Sequence, residues 1–239
     1  MFKHVITRDV AYDLMLGAQR RALHRAIAEW YEQRHQARLP RFYPLLAYHW
    51  TRSGVTAKAI TYLSLAGEQA LAGAAYPEAA LFFADALALD PPVAARGGSR
   101  QDRLRRARWE RQLGEAYLGL GRTGDGRTHL SRALDLLGVP LPTTKPRLAG
   151  RLSQQLAIQA AHRTLPAKAV RRQGRVREEA LEASRTYIRL TEVFWFANDA
   201  PALGHAGIRA LNLAERAGPS SELARAYAML SLAAGSIPL

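Results

Sequence analysis

Apolar residues return along this chain at intervals of three and four. Ala180, Ala183, Tyr187, Leu190 and Phe194 repeat in a 3-4-3-4 rhythm, which lays one apolar stripe down an α-helix. The segment Asn198-Asp199-Ala200-Pro201 interrupts the stripe. Asp199 suits an N-cap and Pro201 the first turn of a new helix. Leu203, Ala206, Ala210 and Leu213 then draw a second stripe, closed by Gly218-Pro219. Two stripes joined by so short a turn predict an antiparallel helix pair.

The unit recurs upstream. Ala59, Leu63 and Ala66 share one face, and Ala79, Phe83 and Ala86 repeat the spacing before Asp90-Pro91-Pro92 stops the helix. Leu113-Gly114 and Tyr117 come next, followed by Gly126, Leu130 and Ala133 in the same rhythm. Small residues let two helices approach closely, and the larger neighbour fills the gap. No alternating strand pattern runs beyond a few residues, so the chain reads as all-α. A lone hairpin cannot bury its stripe, so the hairpins are expected to stack into a solenoid.

At Leu113, Gly114 and Tyr117, and at Ala79, Phe83 and Pro91, the chain resembles tetratricopeptide (TPR) repeats. It also departs from them. Trp109 stands one residue from the consensus tryptophan position, which Glu110 occupies, and the matching positions 59, 79 and 126 are unevenly spaced. The expectation is a right-handed α-solenoid of degenerate TPR-like hairpins.

The stretch GLGRTGDGRTHL, residues 119–130, carries two nucleotide-binding signatures. Gly119, Gly121 and Gly124 spell G-x-G-x-x-G, and Gly121 to Thr128 spell a P-loop with Arg127 in place of its lysine. Both motifs need a preceding β-strand, so that helix N-terminal amides face the phosphates. The lead-in WERQLGEAYLGL is an amphipathic helix without a β-branched residue. The reading is a hairpin turn in which Gly121 supplies a positive φ, with no phosphate site and no cofactor.

Charge adds a second theme. The 239 residues carry a formal net charge of +14, which raises the question of an anionic partner. The lysines are only Lys3, Lys58, Lys145 and Lys168; the rest of the positive charge is arginine. From Leu136 to Arg177 there is no acidic residue. A candidate anionic-partner patch there comprises Arg147, Arg151, Arg163, Lys168, Arg171, Arg172, Arg175 and Arg177. Residues 148–163 read as an amphipathic basic helix whose alanine-rich face suits packing on a neighbouring hairpin better than a membrane. Aromatic residues near the patch are too few for a base-stacking platform.

Catalytic chemistry is not expected. The seven histidines, at 4, 24, 35, 49, 129, 162 and 205, show no metal-ligand spacing, and the absence of cysteine removes thiolate sites and disulfides. Glu178, Glu179 and Glu182 suit the first turns of a helix rather than a cation site. The opening MFKHVITRDVAYDL has no apolar core of a secretion signal, and no run reaches the roughly 20 apolar residues of a membrane span. A cytoplasmic protein is expected.

The segments FKHVITRDVAYDLML, RRALHRAIAEWYEQ and LLAYHWTRSGVTAKAITYLSLAGEQALAGAAYPEAALFFADALAL resemble one stretch of large bacterial signalling ATPases. The match runs through Phe2, His4, Tyr12, His24, His49 and Gly54, among others. In that family an AAA-like or STAND-type ATPase passes through a helical segment into degenerate TPRs. Its output domain is often a class III adenylate or guanylate cyclase, sometimes a kinase or a DNA-binding domain. FANDAPALGHAGIRALNLAERAGPSSELARAYAMLSLAAG is similar to the distal repeats of that architecture. The resemblance implies four segments: an ATPase or winged-helix end at 1–53, hairpins at 54–139, a basic helical connector at 140–176, and further hairpins at 177–239. It also implies that the chain is a fragment whose last helix, with Leu223, Tyr227 and Leu230, faces an absent neighbour and supports self-association. The expected function is a non-catalytic scaffold or sensor arm that binds protein partners. A nucleic-acid-binding regulator using residues 136–177 is the alternative, with nucleic acid and membrane placed behind a protein partner.

Overall fold

The three- and four-residue rhythm is realised as α-helix throughout. The computed structural model describes residues 5–91, 98–164 and 175–235, and these contain no strand. The elements are α1 (Val5–Leu14), α2 (Gly17–Arg34), a 3-10 stretch (Gln36–Phe42), α3 (Tyr43–Ser53), α4 (Thr56–Ala72), α5 (Tyr76–Leu89), α6 (Arg100–Gly119) and α7 (Thr123–Leu136). After them come α8 (Lys145–Thr164), α9 (Arg175–Phe196), α10 (Ala200–Ala217) and α11 (Ser221–Gly235). No described helix is long and apolar enough to cross a membrane. Phe2 and His4 lie outside the described residues.

The chain divides into two compact units, Met1–Pro92 and Val93–Leu239. In the first, α2 packs on α3, α3 on α4 and α4 on α5. The predicted stripe residues Ala59, Leu63, Ala66, Ala79, Phe83 and Ala86 are all buried, beside Leu46, Ala47 and Trp50. The Glu32 carboxylate ties three helices together, accepting from Trp50 Nε1 at 3.2 Å, from Lys58 Nζ at 2.9 Å and from the Tyr62 hydroxyl. Burial pushes its pKa up, but these donors outweigh burial and hold it below the ordinary carboxylate value.

In the second unit α6 pairs with α7 and α9 with α10. Helix α9 also lies against α6, α7 and α11, while α8 rests on α10. The core gathers Leu130, Leu134, Ala183, Tyr187, Leu190, Phe194, Ala206, Ala210 and Leu213. Both predicted stripes point into it; Leu203 is only partly buried. Helix α9 is buried on more than its stripe: Glu182, Ser184 and Thr186 are 0% exposed. Neighbours on several sides of α9 explain this.

The three helix pairs turn in the same way. Ala74, Gly121 and Asn198 have φ of 57°, 73° and 53°. Each donates its amide to the carbonyl three residues back, and the next amide reaches the carbonyl five residues back: Ala74 N to Leu71 O with Ala75 N to Ala70 O, Gly121 N to Leu118 O with Arg122 N to Tyr117 O, Asn198 N to Trp195 O with Asp199 N to Phe194 O. This is the Schellman arrangement, which satisfies the carbonyls orphaned at a helix end. The second helix then begins two residues later, at Tyr76, Thr123 and Ala200.

The crossing points also correspond. A Cβ on Gly67 would meet the Phe83 ring at 2.8 Å, and one on Gly114 would meet Leu130 Cγ at 3.0 Å. Gly67 and Gly114 stand at the same distance before their turn residues, and Phe83 and Leu130 at the same distance after them. In the α9–α10 pair those two positions hold Thr191 and Gly207, so the small residue has changed helices.

Candidate functional site

The residues of GRTGDGRT build a helix start, as expected of a hairpin turn. Gly121 carries the positive φ, while Gly124 and Gly126 already belong to α7. The preceding element, α6, is a helix, so no strand aims amides at a phosphate. A Cβ on Gly126 would lie 2.6 Å from Leu118 Cδ2 and 3.1 Å from the Gly114 carbonyl oxygen. Its glycine permits the α6–α7 approach. Arg127 sits with its guanidinium 5.4 Å from the centre of the Phe194 ring.

Two charged regions stand out in the second unit. The first is an ionic ladder across α6, α9 and α11. The fully buried Glu182 takes Arg111 Nε at 2.6 Å and Arg185 Nη1 at 3.2 Å, with Arg108 Nε at 3.9 Å. Arg111 also holds Glu115 at 2.8 Å, and Arg185 reaches Glu222 on α11 at 2.8 Å. Arg100 binds Glu179, and Arg189 binds Glu192 at 2.7 Å. Burial lowers the pKa of Arg111, but Glu182 and Glu115 more than compensate and raise it above the ordinary arginine value. Glu178 lies 3.7 Å from Arg108. Glu178, Glu179 and Glu182 therefore meet arginines from a neighbouring helix.

The second region surrounds the start of α8. Arg147 and Arg151 stand one turn apart and line a cleft of about 610 Å³, with Pro140, Leu141, Pro142 and Thr143 opposite. Arg151 donates to Gln154 Oε1 at 2.9 Å. Behind the cleft, Arg209 donates to Gln155 Oε1 at 3.1 Å and to the Tyr187 hydroxyl, which itself donates to Val139 O at 3.0 Å. His205 is 3% exposed, and burial, reinforced by the charges of Arg209 and Arg151, pushes its pKa down to about 4. The imidazole is neutral at pH 7.

The remaining patch residues are dispersed. Arg163, at the far end of α8, lies 3.8 Å from Glu215 and over the Tyr227 ring. At 1.5 Å per residue it is about 18 Å along the helix from Arg151. Arg177 donates to the carbonyls of Ala217 and Pro219, capping the end of α10. Arg175 is the first residue of α9; Lys168, Arg171 and Arg172 lie outside the described residues. Tyr227, expected to face an absent neighbour, is 38% exposed but gives its hydroxyl to Glu215 at 2.7 Å. Leu223 and Leu230 are half-buried.

Arg209 was not singled out by the sequence pattern, His205 only as one of seven histidines without metal-ligand spacing, and Glu182 only as an acid suited to a helix start. Their partners lie on other helices, and the one available signal was the polar run Glu182, Ser184 and Thr186 interleaved with a core stripe. The first unit adds a histidine pair, His24 Nδ1 to His49 Nδ1 at 2.7 Å, with His24 Nε2 2.8 Å from the Tyr12 hydroxyl. Burial, then the charge of Arg52, holds His24 below its ordinary pKa; for His49, burial leads and His24 and Arg52 add to it. Only one proton fits between two Nδ1 atoms, so the pair cannot be doubly charged in this arrangement. Among the described residues no group of three or more His, Asp or Glu side chains forms a metal site. Compared with known proteins, the chain matches no family model, no curated protein and no solved structure.

Proposed function

We propose that this chain is a non-catalytic helical-repeat arm, a right-handed solenoid of degenerate TPR-like hairpins, that binds protein partners within a signal-transduction ATPase. The observation that supports it most is the shared turn geometry at Ala74, Gly121 and Asn198, with the Gly67–Phe83 and Gly114–Leu130 crossings in register. Hairpins that repeat in this way while their residues diverge suit an array that offers many weak contacts to a protein surface. The link to an AAA or STAND-type ATPase, including the cyclase-associated kind, rests on the sequence resemblance.

A photo-crosslinking amino acid at Arg108, on the ladder face, tests the reading. The expected result in cells is one reproducible adduct with an ATPase or its output domain, absent when the probe sits at the exposed Arg132 of α7. Adducts that are equal at both positions, or none at either, would refute it. The alternative, nucleic-acid binding through residues 136–177, is favoured by the arginines of the α8 cleft. It requires affinity that falls steeply and linearly with salt on a logarithmic scale.

A further inference from the structure

The second unit neutralises its arginines on one side and leaves them uncompensated on another. Along α6, α9 and α11 every carboxylate of the ladder meets guanidinium groups. Around the start of α8 no described carboxylate forms an ion pair with Lys145, Arg147, Arg151 or Arg209, although Asp199 lines a neighbouring pocket with Lys145. Lys145 and Arg147 occupy the first turn of α8, where the helix dipole favours carboxylates and disfavours cations. Like charges gathered at the positive end of a dipole repel one another unless an anion joins them.

The cleft gives that anion a place with a shape. Arg147 and Arg151, four residues apart, place their Cβ atoms about 5–6 Å apart on one helix face. Two guanidinium forks at that spacing can share the oxygens of a tetrahedral dianion. Gly150, between them, leaves the space there open, since a Cβ would meet nothing within 4 Å. Thr143 also lines the cleft, and Leu141 with Pro142 contributes apolar surface. Arg209, held by Gln155 and Tyr187, adds a further positive charge near enough to Arg151 for the two to repel.

We propose that this cleft binds a phosphate monoester, its dianionic group between Arg147 and Arg151 and its apolar substituent on Leu141 and Pro142. The inference stands independently of the repeat-arm reading. The test is calorimetric titration of the full chain at fixed ionic strength with phenyl phosphate, inorganic phosphate and benzoate.

Phenyl phosphate binds best, inorganic phosphate more weakly for want of the apolar contact, and benzoate, with one charge, at least tenfold more weakly than phenyl phosphate. The Arg147→Gln/Arg151→Gln chain loses at least tenfold in affinity for phenyl phosphate. Its melting temperature does not fall, since both side chains are exposed and their charges oppose the helix dipole. Arg132→Gln leaves binding unchanged and serves as the charge control. Equal losses in the control and the double variant would overturn the proposal, because net charge alone would then account for binding. So would tighter, length-dependent binding of a single-stranded oligonucleotide, which would make the region a nucleic-acid surface.

Discussion

Replacing Gly126 by alanine, and separately Gly124, asks what the glycine-rich stretch is for. In Gly126→Ala the new methyl group would stand 2.6 Å from Leu118 Cδ2, 2.8 Å from Leu118 Cγ and 3.1 Å from the Gly114 carbonyl oxygen. Comfortable carbon contacts begin near 3.5 Å, so either Leu118 leaves its rotamer or the two helices separate. Overpacking of this kind costs about 1–3 kcal/mol, and alanine returns up to about 1 kcal/mol through helix propensity. The net expectation is a loss of about 1–2 kcal/mol. At Gly124, where a Cβ meets nothing within 4 Å, only the propensity gain remains. Urea unfolding followed by circular dichroism reads both. With a slope near 2 kcal/mol/M, Gly126→Ala unfolds about 0.5–1 M earlier, while Gly124→Ala unfolds at or slightly above the wild-type midpoint. A Gly126→Ala chain as stable as the wild type, or two variants that shift together, would refute the account of a glycine kept for helix approach.

Glu182→Ala strands Arg111 with Glu115 alone in a buried site, so a loss of about 3 kcal/mol is expected on denaturation; a chain within 1 kcal/mol of wild type would contradict the ladder's role. Ala74 holds a left-handed conformation at φ 57° that glycine adopts freely, so Ala74→Gly should raise stability by about 1 kcal/mol. A lower melting temperature for that variant would count against it. Acid should weaken both units. His205, at about 4 when folded, and His24 and His49, also lowered, are neutral in the native state and protonate first in the unfolded chain near 6.5. Their stabilising effect is complete above pH 6.5 and is lost as pH falls towards the folded values. His205 alone accounts for a loss of up to roughly 2 kcal/mol by pH 5. Stability measured from pH 7 to 5 should flatten in His205→Gln, and an unchanged slope would exclude the assignment.

The stripes were legible because helical periodicity is local: Tyr187, Leu190 and Phe194 announce their face within one helix. The turn at Gly121 was legible for the same reason. The equivalent turns at Ala74 and Asn198 were less so, because backbone hydrogen bonds make them and the neighbouring Gly73 has an ordinary φ of −87°. Glu182 reads as a surface carboxylate until Arg111, far back in the chain, is placed against it. The basic run between Leu136 and Arg177 was plain in the sequence. Its separation is only partly local: the cleft pair and its lining lie within the run, whereas Arg163 and Arg177 take their partners at Glu215 and Ala217, outside it.

The polar seat of α8 has a kinetic consequence. Gln155 receives Asn212 Nδ2 at 3.1 Å and His162 Nδ1 hydrogen-bonds to Glu215 at 2.6 Å, yet the buried oxygens Gln159 Oε1 and Asn212 Oδ1 have no protein donor. These contacts join residues 53 to 57 positions apart, whereas Ser184 meets Ala210 within the α9–α10 pair across 26. Short loops close first, and a seat with unmet acceptors gains least from closing. Helix α8 should therefore dock on α10 after the α9–α10 pair has formed, and release before that pair opens. Amide hydrogen exchange would show it as α8 exchanging well before α9, and equal protection of the two helices would mean that they open only together.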